Sequence, residues 1–196
     1  PPILKVMTFL TNDSDYMRLA LKLAARGRGY ASPNPMVGAV VVKNDRIIGQ
    51  GFHECCGENH AEVNAILHAT QGVQGATLYV TLEPCAHHGR TPPCADALIA
   101  AGVARVVAAM QDPNPLVSGK GIAALQAAGI GVQCGILEDQ ARRLNRPFIT
   151  RMATGRPYVI LKWAQSLDGK IAPASRRPLR ITGEAARAYV GERRFE

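Results

Sequence analysis

His60-Ala61-Glu62, Glu83-Pro84-Cys85 and Pro92-Pro93-Cys94 put an imidazole, two thiols and a spare carboxylate into one stretch of chain. Those residue types suit hydrolytic metal chemistry. A structural zinc site uses four protein ligands, whereas a catalytic one typically uses three and leaves the fourth position to water. The sequence therefore predicts Zn2+ held by His60, Cys85 and Cys94, with Glu62 as the proton carrier beside the water. Zinc lowers the pKa of water from about 15.7 to roughly 7. Expelling an amine from a tetrahedral intermediate also requires that its nitrogen be protonated, so one group must accept the water's proton and pass it on. Glu62, two positions beyond His60 at a predicted helix start, is placed for that task. The alternative is a zinc that only staples a loop, with His53, His87 or His88 as fourth ligand and Glu62 without a role.

The His-x-Glu and Pro-Cys elements match the zinc deaminase pattern, with one departure: the cysteines are nine apart rather than three. Residues Ala86 to Pro93 thus form an insertion that brings cationic and imidazole groups to the mouth of the site. Cys94 is expected to open a helix, where the positive end of the macrodipole favours its thiolate.

The elements that must position these residues follow from periodicity and punctuation. Residues 13–26 open with capping residues, carry Met17, Leu21 and Ala24 at helical spacing, and end at Gly27. An antiparallel hairpin follows, from Val37–Val42 and the run starting at Ile47. Helix then alternates with strand: helix 60–71, strand 77–82, helix 94–101, strand 104–110, helix 119–128, strand 130–136. Short-spaced strand–helix–strand units imply parallel pairing with helices on the sheet. The expected fold is α/β, a three-layer αβα domain with a mixed five-stranded sheet. After a short helix near 138–145, Asn145-Arg146-Pro147 and Thr154-Gly155-Arg156-Pro157 mark a junction, so the predicted domains are 1–146 and 147–196. The second begins with a strand at Tyr158–Trp163 and ends in a helix, and about 50 residues cannot close a core by themselves.

Over the whole chain, 47% hydrophobic and 19% charged residues indicate a globular protein. No apolar run approaches the roughly 20 residues that span a bilayer, and the opening residues lack a secretory pattern. Neither a membrane nor secretion is expected, and the cytoplasm is the expected location. The net charge of +8 raises nucleic acid as a partner, but residues 1–140 hold 10 Lys/Arg against 11 Asp/Glu, and residues 141–196 hold 13 against 4. A surface for a polyphosphate backbone belongs nearer the chemistry, so a nucleic-acid base deaminase is the lesser reading. Five cysteines, an odd number, argue for reduced thiols, with Cys55 and Cys56 in a loop and Cys134 in the core. A zinc-stapled binding module without turnover is the non-enzymatic reading, and a homo-oligomer is compatible with the sequence.

Pro33-Asn34-Pro35-Met36-Val37-Gly38, Gly51-Phe52-His53, His60-Ala61-Glu62, the run Thr81 to Cys94 and Asp112-Pro113-Asn114-Pro115 closely resemble the bifunctional riboflavin-biosynthesis deaminase-reductase family, from about residue 14 to 172. The resemblance implies a cytidine-deaminase-like fold and deamination of the small-molecule ribosyl phosphate 2,5-diamino-6-(5-phosphoribosylamino)pyrimidin-4(3H)-one, releasing ammonia. It implies zinc on His60, Cys85 and Cys94, the proton shuttle on Glu62, and substrate contacts from Asn34, His53, His87, Arg90, Asp112 and Asn114. An arginine at position 90 suits bidentate phosphate recognition. Lys162 to Lys170 resembles the truncated start of the family's dihydrofolate-reductase-like domain, which uses NADPH, and this places an NADP contact at Ala164. The pattern departs at Ser175 to Arg180, where the family usually reads Ser-Gly-Glu-Ser. The resemblance therefore implies the deaminase for this polypeptide and the reductase only for a complete second domain.

Overall fold

Asn12 starts the first helix: its side chain accepts the Asp15 N–H at 3.0 Å. With Asp13 and Asp15 in the first turn complementing the helix dipole, α1 runs Asp13–Ala24 and buries Met17, Ala20, Leu21 and Ala24 along one face. In the computed structural model, residues 12–87, 92–115, 117–175, 177 and 180–194 are described. Strands β1 (Gly38–Lys43) and β2 (Arg46–Phe52) pair antiparallel. Their turn residues Asn44 and Asp45 take φ of 50° and 58°, the left-handed geometry that matches the twist of a two-residue hairpin.

The remaining elements are α2 (Ala61–Leu67), β3 (Thr77–Val80), α3 (Cys94–Ala100), β4 (Arg105–Ala108), α4 (Lys120–Ala127), β5 (Gly131–Cys134), α5 (Glu138–Leu144), α6 (Arg146–Thr154) and α7 (Glu184–Arg193). The sheet order is β2-β1-β3-β4-β5, with β1 antiparallel to both β2 and β3, and β3, β4 and β5 parallel. This is the mixed five-stranded sheet that the periodicity predicts. Some elements are shorter than expected. α2 stops at Leu67 rather than 71 because the chain turns back to the sheet, where the Thr70 N–H meets the Ile48 carbonyl at 2.7 Å.

Glycines show how the layers stack. A Cβ on Gly38 would overlap the Ala20 carbonyl of α1, and one on Gly51 would lie 2.5 Å from the Ala61 carbonyl oxygen of α2. Gly51 pairs with Ala39, the next residue after Gly38. Successive strand residues face opposite sides, so α1 and α2 cover opposite faces of the sheet. With both faces covered, the central strands are buried almost without alternation: Val40, Val41, Leu78, Val80, Val106 and Val107 are all inaccessible. Edge strand β5 differs, and Cys134, expected in the core, is exposed there.

Two acids tie the layers together. Asp13 accepts Arg105 Nη1 and Nη2 at 3.0 and 2.7 Å and the Tyr79 hydroxyl at 2.7 Å, joining α1 to β3 and β4. Glu83, just past β3 and buried, accepts four backbone N–H groups. Asp112 and Gly119 donate to Oε2 at 3.1 and 2.9 Å, and Gly121 and Ile122 donate to Oε1 at 3.0 and 3.2 Å. The loop after β4 and the start of α4 are thereby fastened to the turn containing Pro84 and Cys85. Gly121 has no room for a side chain there, since a Cβ would overlap the Pro84 carbonyl oxygen.

The chain divides into compact units of Pro1–Arg156 and Pro157–Glu196. α6, which lies beyond the boundary expected at 146, belongs to the first: Pro147 sits in its opening turn, where a proline begins a helix rather than marking a linker. In the second unit, described residues 158–163 form no strand, contrary to expectation, and no described segment of that unit is a strand with which they could pair. Val159, Leu161 and Trp163 stand exposed. Among the described residues no helix is long and apolar enough to cross a membrane.

Asp13→Asn should cost about 1 kcal/mol of stability at neutral pH, since the pair is partly exposed. Arg105 holds the Asp13 carboxyl below its usual value, so the contribution is complete above roughly pH 4 and lost as pH falls through the depressed value. Denaturant unfolding of both proteins at neutral pH and in acid checks this, and a gap that persists undiminished in acid contradicts it. Glu83→Gln puts an amide NH2 against two of the four N–H donors and should cost about 2–4 kcal/mol, with faster hydrogen exchange at the Asp112 or Gly121 amides. An unaltered midpoint would show that the four bonds contribute nothing.

Candidate active site

Three separate elements bring the predicted ligands together. His60 is the N-cap of α2, Cys85 lies in the turn after β3, and Cys94 is the first residue of α3. His60 Nδ1 is 3.1 Å from Cys94 Sγ and 3.6 Å from Cys85 Sγ, and all three donor atoms lie within 4.8 Å of one another. Tetrahedral zinc with bonds of about 2.0–2.3 Å separates its ligand atoms by roughly 3.5–3.8 Å, so the borderline-soft nitrogen and sulfur set fits zinc in chemistry and in size.

The Cys94 N–H points at Cys85 Sγ, 3.3 Å away, and Ala95 N–H bonds the Cys85 carbonyl at 3.0 Å. The Cys94 thiol, His60 and the Cys94 backbone N–H together bring the Cys85 thiol below its usual value, against its burial. Cys94 is pushed up, first by its hydrogen bond to Cys85 and then by burial. Binding of a divalent cation by such a pair displaces thiol protons.

Glu62, in the first turn of α2, is 3% exposed. Burial, opposed by nearby donors and His60, pushes its carboxyl up to about 7. A carboxyl group poised near neutrality can both take and give a proton at working pH. His53 is also buried, and burial pushes its pKa down. Its Nδ1 lies 3.1 Å from the Asn59 carbonyl and its Nε2 3.0 Å from Asn34 Nδ2. A carbonyl can only accept, so Nδ1 carries the proton and Nε2 accepts from the Asn34 amide. That relay sets the orientation of the Asn34 amide, and it leaves His53 no free nitrogen as the fourth ligand of a staple.

A cavity of about 290 Å³ joins these groups, lined by Asn34, His53, His60, Glu62, Cys85, His87, Asp112 and Asn114. It opens beyond the carboxyl ends of β3 and β4, where ligands bind in open α/β sheets. Asp112 is turned in by its own hydrogen bond from the Asn114 N–H at 2.8 Å, and burial raises its pKa. Of the other predicted site residues, Arg90 lies outside the described residues, as does His88, and Ala164 lies in the second unit in irregular chain. The sequence reading missed Glu83, which holds the Asp112 loop, and Phe148 and Met152 of α6, which also line the cavity. Their four-residue spacing after Pro147 is the signal that could have revealed a helix face there.

Residues 10–110 match the family model for the cytidine and deoxycytidylate deaminase zinc-binding region, and residues 157–196 match that for the RibD C-terminal domain. The chain is 58% identical over 178 residues to the riboflavin biosynthesis protein RibD of Escherichia coli, covering 91% of this chain and 48% of that protein. Among solved structures, Acinetobacter baumannii RibD superposes with a TM-score of 0.88 at 55% identity, covering 93% of this chain and 51% of that one. A Thermotoga maritima diaminohydroxyphosphoribosylaminopyrimidine deaminase/5-amino-6-(5-phosphoribosylamino)uracil reductase superposes at 0.89 with 46% identity, covering 93% and 52%. The chain spans about half the length of these relatives. It belongs to the cytidine and deoxycytidylate deaminase zinc-binding family, and within it to the RibD type of riboflavin biosynthesis protein.

Proposed function

We propose that the first unit hydrolytically deaminates 2,5-diamino-6-(5-phosphoribosylamino)pyrimidin-4(3H)-one, releasing ammonia. The observation that carries this is the convergence of His60, Cys85 and Cys94 with a buried Glu62 that is not needed as a ligand. A zinc ion held by those three residues supplies the Lewis acidity that makes water nucleophilic near neutral pH. Glu62 takes the proton of the attacking water and delivers it to the departing amine. The Asn34 amide, oriented by His53, and the groups of Asp112 and Asn114 meet the polar edges of the ring. His87 lines the same cavity, and Arg90 serves the phosphate.

The substrate is a small molecule. A cavity near 290 Å³ suits one heterocycle, and the near-neutral charge of residues 1–140 offers no track for a nucleic-acid backbone. Thiols that must stay reduced to hold zinc favour the cytoplasm. NADPH-dependent ribose reduction, with Ala164 at the NADP site, belongs to a complete C-terminal domain. In the second unit the described apolar side chains Val159, Leu161 and Trp163 stand exposed.

Glu62→Gln should keep one zinc per chain by metal analysis and lower ammonia release by about 10²–10⁴-fold; turnover at the wild-type rate would remove Glu62 from its role. His60→Ala, or chelation of the wild-type chain, should lose metal and activity together. Saturable binding of the ribosyl phosphate without any ammonia from the zinc-loaded wild type would identify a binding module instead. Salt-sensitive retention of RNA or DNA at low salt would favour the nucleic-acid reading.

A further inference from the structure

α6 lies beyond residue 110, where the match to the deaminase zinc-binding model ends, yet it supplies two side chains to the cavity. Phe148 and Met152 stand four residues apart, on one face of the helix. All three are half-buried, but their neighbour Ile149 packs against the core whereas these two border the cavity.

The helix is pinned at its start. Asn145, 2% exposed, occupies the N-cap position but makes no side-chain cap. Both of its polar atoms instead engage the Met36 backbone: Oδ1 accepts the Met36 N–H at 2.8 Å, and Nδ2 donates to the Met36 carbonyl at 2.8 Å. Asn34 and Pro35, just before Met36, line the cavity too. One buried amide, hydrogen-bonded through both its oxygen and its nitrogen, therefore fastens the helix carrying Phe148 and Met152 to the loop carrying Asn34.

The chemistry of the wall narrows what it can meet. Neither a phenyl ring nor a thioether donates a hydrogen bond, so neither suits a phosphate or a sugar hydroxyl. Both suit the flat face of a heterocycle, whose edges the polar groups of Asn34, Asp112 and Asn114 can satisfy. We propose that α6, held by Asn145, is a recognition wall in which Phe148 and Met152 pack on the face of the pyrimidine ring. Phe148 and Met152 determine specificity, and Asn145 is a positioning residue. The turnover arm of the test rests on the deaminase reading; the binding arm does not.

In the zinc-loaded chain, Phe148→Ala and Met152→Ala should each raise KM for the diaminopyrimidine ribosyl phosphate by about five- to tenfold. Calorimetric Kd for the corresponding aminouracil ribosyl phosphate should rise equally, with zinc content and Tm near wild type and recovery in Phe148→Tyr. Asn145→Ala should raise KM as well, and combining it with Phe148→Ala should add little, because Asn145 acts through the wall. Unchanged KM and Kd in both alanine variants would overturn the proposal, and additive effects of Asn145→Ala and Phe148→Ala would overturn the positioning role. Should the wild type release no ammonia while Phe148→Ala still weakens product binding, the deaminase reading fails and the wall stands. A wild type that neither turns over nor binds these compounds overturns both.

Discussion

A buried carboxyl group is costly unless donors surround it, and two buried glutamates here differ in the donors they find. Glu83 is surrounded by four backbone N–H groups from residues 112 to 122, so it works as a fastener between the β3 turn and the loop after β4. Glu62 is equally buried, but burial outweighs its donors and lifts its carboxyl to about 7. The rest of the site depends on that division. Glu83 holds the Cys85 turn, Asp112 and the start of α4 in one arrangement, and Glu62 remains able to exchange a proton within it.

The sheet supplies the scaffold for both. β3 and β4 run parallel and end together, so the turns after them deliver Cys85 and Asp112 to the same side. The helices contribute their N-termini: His60 precedes the first residue of α2, and Cys94 opens α3 beside Cys85. Helix starts carry unpaired N–H groups and partial positive charge, which favour a thiolate over a thiol. Close approach of layers at Gly38, Gly51 and Gly121 lets these elements meet without intervening side chains.

The two units differ in how far they can be understood alone. The first encloses a continuous core and a formed cavity. The second exposes Val159, Leu161, Trp163 and Ile171, and its described residues include a helix but no strand. Residues 157–196 of this chain are the part that matches the RibD C-terminal domain model.

The grouping of His60, Cys85 and Cys94 and the order of strands and helices were legible in the sequence, because each rests on local spacing: a candidate ligand at a helix start, an apolar period of two or 3.6, a glycine at a boundary. Cys134 and the strand at 158–163 were misread for one reason, since an apolar run does not say whether neighbours will cover or pair with it. Glu83 reaches partners up to 39 residues away and Asn145 reaches across 109. Such contacts leave no periodic trace. The sequence by itself determined which reactive side chains the chain carries and at what spacing. Only the tertiary structure decided which groups frame them, because a buried hydrogen bond depends on where two distant segments are brought by packing, not on how either is spelled.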